Sequence, residues 1–280
     1  VVSYSESLSL VLPAVVNISS TMVMDAARAP SSDPFWRYFG EGQQPKQPRE
    51  IQGQGAGVLV SSNGYILTNN HVVENATEVT VSLQDGRTLK AVVVGTDPQT
   101  DVAVLKVESE ESLPFARLAD SEQIEVGDVV FAIGNPLGVG QTVTMGIVSA
   151  KGRDNLNMIQ GGFENFIQTD ASINQGNSGG ALVDATGRLI GINTMIMTDG
   201  RGTGNIGIGF AIPTALAYSV MTDLVEKGSV ARGFLGVGIQ TLDPDLVEAW
   251  GLPDSKGALV ISVSPSSPAD EAGLRNGDII

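Results

Sequence analysis

The sequence contains no cysteine, which removes disulfides, thiol nucleophiles and cysteine-based metal sites together. It contains a single histidine, so zinc sites of the usual kinds go as well, and no metal or other cofactor is expected. Basic residues are scarce, 16 Lys and Arg against 31 Asp and Glu for a net charge of -15. That balance repels nucleic acid phosphates and anionic lipid. Long apolar runs are missing too. The longest near the start, residues 8–16, is broken by Ser9 and Pro13 and is too short to span a bilayer, so no stable membrane insertion is expected. Aromatic residues are only 5% of the chain.

Glycine is abundant, at 34 of 280 residues, and with few aromatics it favours a turn-rich β protein. Short apolar runs separated by turn residues fill residues 55–213, among them Gly57-Val-Leu-Val60, Val102-Ala-Val-Leu105 and Val129-Val-Phe-Ala-Ile133. Two hairpins are expected. One turns at Gln84-Asp-Gly86, the other at Asp184-Ala-Thr-Gly187. Close-spaced strands without intervening helices argue for a sandwich or barrel. The first long helix is expected at 215–227, with Leu216, Val220 and Leu224 on one face and Gly228 as its left-handed stop. A domain boundary follows, giving domains 1–230 and 231–280. Residues 25–54 read as one long loop around Phe35, Trp36, Tyr38 and Phe39.

The strongest local signal for chemistry is Gly176-Asn-Ser-Gly-Gly180. A nucleophilic serine needs a tight turn that exposes its Oγ and lets backbone N–H groups converge on an oxyanion. Ser178 then needs a general base, and His71 is the one imidazole in the chain. The orienting carboxylate is expected to be Asp101, which opens the buried run Asp-Val-Ala-Val-Leu105, with Asp170 as the rival beside the active turn. No His follows Ser178, which excludes the α/β-hydrolase order. The aspartates before His71, Asp25 and Asp33, fall in the irregular loop, which disfavours the subtilisin order. His…Asp…Ser is the order of chymotrypsin-type β-barrels. A dinucleotide-like Gly202-Thr-Gly-Asn-Ile-Gly207 is followed by a β-like run rather than a helix, which discounts cofactor binding there.

Thr68-Asn-Asn-His-Val-Val73, Thr100-Asp-Val-Ala-Val-Leu-Lys106 and Gln168-Thr-Asp-Ala-Ser-Ile-Asn-Gln-Gly-Asn-Ser-Gly-Gly-Ala181 resemble the HtrA (Deg) family of trypsin-like serine proteases. Gly191-Ile-Asn-Thr194 and Ile206-Gly-Ile-Gly-Phe-Ala-Ile-Pro213 match it as well. The resemblance implies a mainly β, chymotrypsin-like double barrel. It implies a periplasmic endopeptidase that degrades misfolded polypeptides without ATP, and a trimer or a multiple of one. Tyr4, in an N-terminal region expected to be irregular, and the aromatic cluster at 35–39 suggest the surface such an assembly would cover. His71 becomes the base, Asp101 its orienting carboxylate, Ser178 the nucleophile, and the N–H groups of Gly176 and Ser178 the oxyanion hole. The loop at 25–54 becomes regulatory, and residues 151–162 a sensor loop. Six residues before Ser178, where trypsin-like enzymes selective for Lys or Arg carry Asp, stands Ser172. With Ile173 and Met195 it suggests a shallow apolar pocket for small aliphatic P1 residues. Residues 231–280 resemble part of a PDZ domain, with Phe234, Leu235, Gly236 and Val237 binding peptide. The helix facing that groove is expected beyond Ile280.

Overall fold

The computed structural model describes residues 3–24, 49–135, 140–154, 156–159, 161–174, 176–197 and 204–280. The aromatic cluster at 35–39, Asp25 and Asp33 lie outside them. The chain divides into two compact units, Val1–Val230 and Ala231–Ile280.

The first unit holds two closed six-stranded antiparallel barrels. Strands β1 (Val15–Met24), β2 (Arg49–Leu59), β3 (Tyr65–Asn69), β4 (Ala76–Ser82), β5 (Thr88–Asp97) and β6 (Val102–Val107) close in the order β1-β2-β3-β6-β5-β4. Strands β7 (Val129–Gly134), β8 (Thr142–Arg153), β9 (Phe166–Thr169), β10 (Ala181–Asp184), β11 (Leu189–Ile196) and β12 (Gly209–Pro213) close as β7-β8-β9-β12-β11-β10. The second order is the first with six added to each label, so the two barrels share one topology.

Branched aliphatic residues make this possible, because alternate positions must fill a narrow interior. Ile18, Val58, Leu67, Val81 and Leu105 fill the first barrel, and Leu182, Ile190, Ile167 and Ala211 the second. Both expected hairpins form, β4–β5 across Gln84–Gly86 and β10–β11 across Asp184–Gly187.

Two expectations need correction. Residues 49–54 are not loop but the start of β2, paired with β1 down to Met24↔Arg49. Their Gln and Gly content hid the strand, whose backbone is fixed by its partner rather than by propensity. The N-terminal region is also not irregular. Helix α1 (Ser5–Val11) leads through a 3₁₀ turn into β1, and the Tyr4 ring lies 5.0 Å from that of Phe131. The long helix (Thr214–Lys227) forms as expected: it ends at left-handed Gly228 and buries Val220 and Leu224 with Leu216 half-buried, and it buries Ala217 and Met221 as well. That helix follows the second barrel yet packs back on β5 and β6 of the first, with Leu224 seated against Gly95.

In the second unit β13 (Val237–Thr241) and β14 (Ala258–Val263) form an antiparallel pair, with two short helices at Pro244–Trp250 and Pro268–Glu271. Among the described residues no helix is long and apolar enough to cross a membrane.

Candidate active site

The register of β3 against β6 brings the first two site residues together. Asn69 pairs with Val102, so the residues just past β3 face the residue just before β6. His71 sits there in the one-turn helix Asn70–Val73, and Asp101 directly precedes β6. His71 Nδ1 lies 2.8 Å from Asp101 Oδ2, and the His71 backbone N–H donates to Oδ1 at 3.0 Å. Both side chains are buried, so the pair is shielded from competing water.

Ser178 comes from the second barrel, on the turn before β10. Gly179 has φ of +82°, a conformation that suits glycine, and a Cβ there would lie 2.1 Å from Ala56 O. The contact is this close because the Ala56 N–H donates to Ser178 O at 2.8 Å, and the Thr68 hydroxyl donates to Ala56 O at 2.7 Å. The Ser178 turn is thereby tied to β2 and β3 of the other barrel.

Thr194 completes the link and was not singled out from sequence. Its Oγ1 donates to Asp101 Oδ2 at 2.7 Å, and its carbonyl accepts from Ser178 Oγ at 3.2 Å. The register of β11 against β12 slips between Asn193 and Met195, which makes Thr194 the extra residue of a bulge. Bulges re-aim side chains, and here the bulged residue reaches both Asp101 and Ser178. A buried Thr in an apolar strand gives no such signal in the sequence alone.

Asp170, the rival carboxylate, is placed elsewhere: its Oδ1 accepts from the Ile147 N–H at 2.8 Å, securing β8. In the Gly176–Gly180 turn the N–H groups of Asn177, Gly179 and Gly180 donate to Asn174 O, Asn193 O and Asn177 O. Among the described residues nothing accepts from those of Gly176 or Ser178. Gly176 is left-handed at φ +94°, and its carbonyl accepts from the Asn135 N–H.

Of the specificity residues, Ser172 is exposed, whereas Ile173 and Met195 are buried. Ile173 and Met195 flank the same strand. A Cβ on Gly209 would lie 2.9 Å from Ile173 Cδ1, and Met195 pairs with Phe210. In the second unit Phe234 and Leu235 are exposed, Gly236 is buried with φ +82°, and Val237 opens β13. Among the described residues no cluster of side chains is arranged to hold a metal ion.

The loop after β8 also carries a feature that sequence did not reveal. The Glu164 carboxylate accepts from the backbone N–H groups of Leu156, Asn157, Met158 and Ile159. The neighbouring Phe163 N–H donates to Gln99 O, in the turn that leads to Asp101.

Residues 55–192, which contain His71, Asp101 and Ser178, match the trypsin-like peptidase domain. The HtrA-type protease AlgW solved with a tripeptide is 46% identical, with a TM-score of 0.81 over 100% of this chain and 82% of that one. The chain belongs to the HtrA family. AlgW with a decapeptide gives 48% identity and a TM-score of 0.78 over 100% of this chain and 85% of that one. Among curated relatives, the probable periplasmic serine endoprotease DegP-like of Chlamydia trachomatis is 48% identical over 88% of this chain and 49% of its own. The periplasmic pH-dependent serine endoprotease DegQ of Escherichia coli is 44% identical over 99% of this chain and 60% of its own. The chain thus spans about half to three-fifths of the length of these curated relatives.

Proposed function

We propose that this HtrA-family chain is a serine endopeptidase of the bacterial periplasm that cleaves unfolded or misfolded polypeptides without ATP. The observation that carries the reading is the buried 2.8 Å pair of His71 Nδ1 and Asp101 Oδ2, joined through Thr194 to Ser178 on its glycine turn. The names of the periplasmic relatives support the compartment and the reaction class.

Asp101 accepts the Nδ1–H of His71, which leaves Nε2 with its lone pair as the base. The Ser178 hydroxyl turns from the Thr194 carbonyl toward Nε2 and gives up its proton as Oγ bonds to the scissile carbonyl carbon. The carbonyl oxygen becomes an oxyanion, stabilised by the N–H groups of Gly176 and Ser178. His71, now imidazolium, passes its proton to the departing amine as the C–N bond breaks. Water, deprotonated by His71, then splits the acyl ester and restores Ser178. No step consumes a nucleotide, because peptide hydrolysis is downhill.

The P1 pocket takes small aliphatic side chains. Ser172 supplies no charge for Lys or Arg, and Ile173 occupies the space beside Gly209. Residues 231–280 act as part of a PDZ domain, binding peptide at Phe234–Val237. The exposed Phe234 and Leu235 support this, as does β13, whose partner among the described strands is β14 alone. An extended peptide can pair with its other edge. The working form is a homotrimer or a multiple of one. Light scattering that reports a monomer at micromolar concentration overturns that assembly.

Incubation with unfolded casein tests the activity, and fluorophosphonate labelling followed by peptide mapping tests the nucleophile. Fragments with Val, Ala or Ile at most P1 positions and a single adduct on Ser178 are expected. Intact casein, or an adduct on another serine, refutes the reading.

A further inference from the structure

We propose that Asn69 is a positioning residue for the triad, acting through the main chain of Asp101. The inference rests on the triad reading above. Asp101 has φ of +57°, a left-handed conformation that an aspartate adopts at a cost unless its surroundings hold it. Three consecutive residues supply the hold. The Asn69 side-chain Nδ2 donates to Asp101 O at 3.1 Å, the Asn70 backbone N–H donates to the same oxygen at 3.0 Å, and the His71 backbone N–H donates to Oδ1 at 3.0 Å.

The donations from residues 70 and 71 are main-chain and do not depend on the side chains there, proline excepted. The one from residue 69 depends on the amide. Asn69 is the last residue of β3 and fully buried, among neighbours such as Ile66 and Leu67 that fill the barrel. Its Oδ1 is also buried and accepts no hydrogen bond among the described residues. A side chain that served packing alone at this strand position would be apolar, since a buried oxygen without a donor is unfavourable. What Asn69 contributes is its N–H donor, and that donor is directed at the strained residue.

The consequence falls on geometry at His71. With two donors on its carbonyl, Asp101 keeps the left-handed turn that presents Oδ2 to His71 Nδ1 and Thr194 Oγ1. With one donor removed, the backbone relaxes toward negative φ and draws the carboxylate away from the imidazole. Asn69 is fully buried and out of reach of a substrate, so its effect lies in turnover rather than in substrate affinity.

Asn69→Ala removes the donor. Asn69→Leu removes it while filling nearly the same volume, so that one variant folds even if a cavity is not tolerated. Each is assayed in the full chain with a fluorogenic peptide cut after valine, alone and combined with Asp101→Asn. Melting curves and near-ultraviolet circular dichroism confirm folding. The expected result in the folded variants is a fall in kcat of about tenfold, the size set by one hydrogen bond, with KM unchanged. The low-field proton signal of the His71–Asp101 pair should weaken, and the kcat effect should vanish when Asp101→Asn is already present. Wild-type kcat in a folded Asn69 variant, or an equal loss with and without the Asp101 carboxylate, overturns the proposal. Wild-type turnover in Asp101→Asn alone would instead overturn the triad reading beneath it.

Discussion

Gly179→Ala is the sharpest test of how the two barrels hold the nucleophile. The added Cβ would sit 2.1 Å from Ala56 O and 2.3 Å from Thr68 Oγ1. Carbon–oxygen contacts this short do not persist, and restoring an ordinary separation of over 3 Å moves the turn by about 1 Å. Ala56 cannot simply retreat, because its N–H holds Ser178 O and its carbonyl holds the Thr68 hydroxyl. The left-handed φ of +82° adds strain of about 1–2 kcal/mol for alanine, and the overlap adds about 1–3 kcal/mol. A total of about 2–5 kcal/mol lies within the usual stability of a domain, so the variant still folds at 25 °C, with a melting temperature lower by roughly 5–20 °C. A displacement of about 1 Å at a nucleophile costs about 10²-fold in rate. Stopped-flow phosphonylation of Ser178 by a fluorophosphonate reads that loss directly. A folded Gly179→Ala protein that reacts at the wild-type rate would show that the Ala56 contact does not position the serine.

Ser178→Ala should leave the fold intact and reduce casein cleavage by roughly 10⁴-fold or more, and retained cleavage would move the nucleophile elsewhere. Activity should fall on a single acid limb, because His71 must be neutral to take the serine proton, and a His71→Ala protein with normal turnover would contradict this. Asp184, in the β10–β11 turn, is held below the usual carboxylate range: burial pushes it up, but hydrogen bonds from Thr186 and Arg188, with the Arg188 charge, outweigh that. A lowered folded-state value stabilises the fold above the ordinary carboxylate pKa and ceases to as pH falls through the lowered one. Asp184→Asn should therefore melt earlier than wild type at neutral pH. The gap should close in acid below the ordinary carboxylate range, and a gap independent of pH would refute the assignment.

Much of this architecture is legible in the sequence because local chemistry announces it. Gly86 and Gly187, both left-handed, mark the two hairpin turns, and Gly228 marks the helix stop. The hidden parts depend on partners distant in sequence. Arg49–Gln54 carries no strand pattern and becomes one by pairing with β1. Leu216 fits the expected helix face, yet Ala217 and Met221 are buried because the helix lies against β5, β6 and β11. Thr194 and Asn69 look like ordinary strand residues until a bulge and a register place them on Asp101. The choice between Asp101 and Asp170 could not be closed from local residues, since both stand next to buried runs. The distinction is which one meets His71.

The shared strand order has a consequence for the protein's life before it is finished. His71 and Ser178 stand on corresponding connections, each between the third and fourth strands of its own barrel, and Asp101 on the way from fifth to sixth in the first. A nascent chain that has closed only its first barrel holds His71 and Asp101 without Ser178. The serine arrives about seventy residues after the last strand of that barrel, and the bulge that carries Thr194 later still. On the proposed triad reading, the three residues are therefore brought together only once both halves have closed and met.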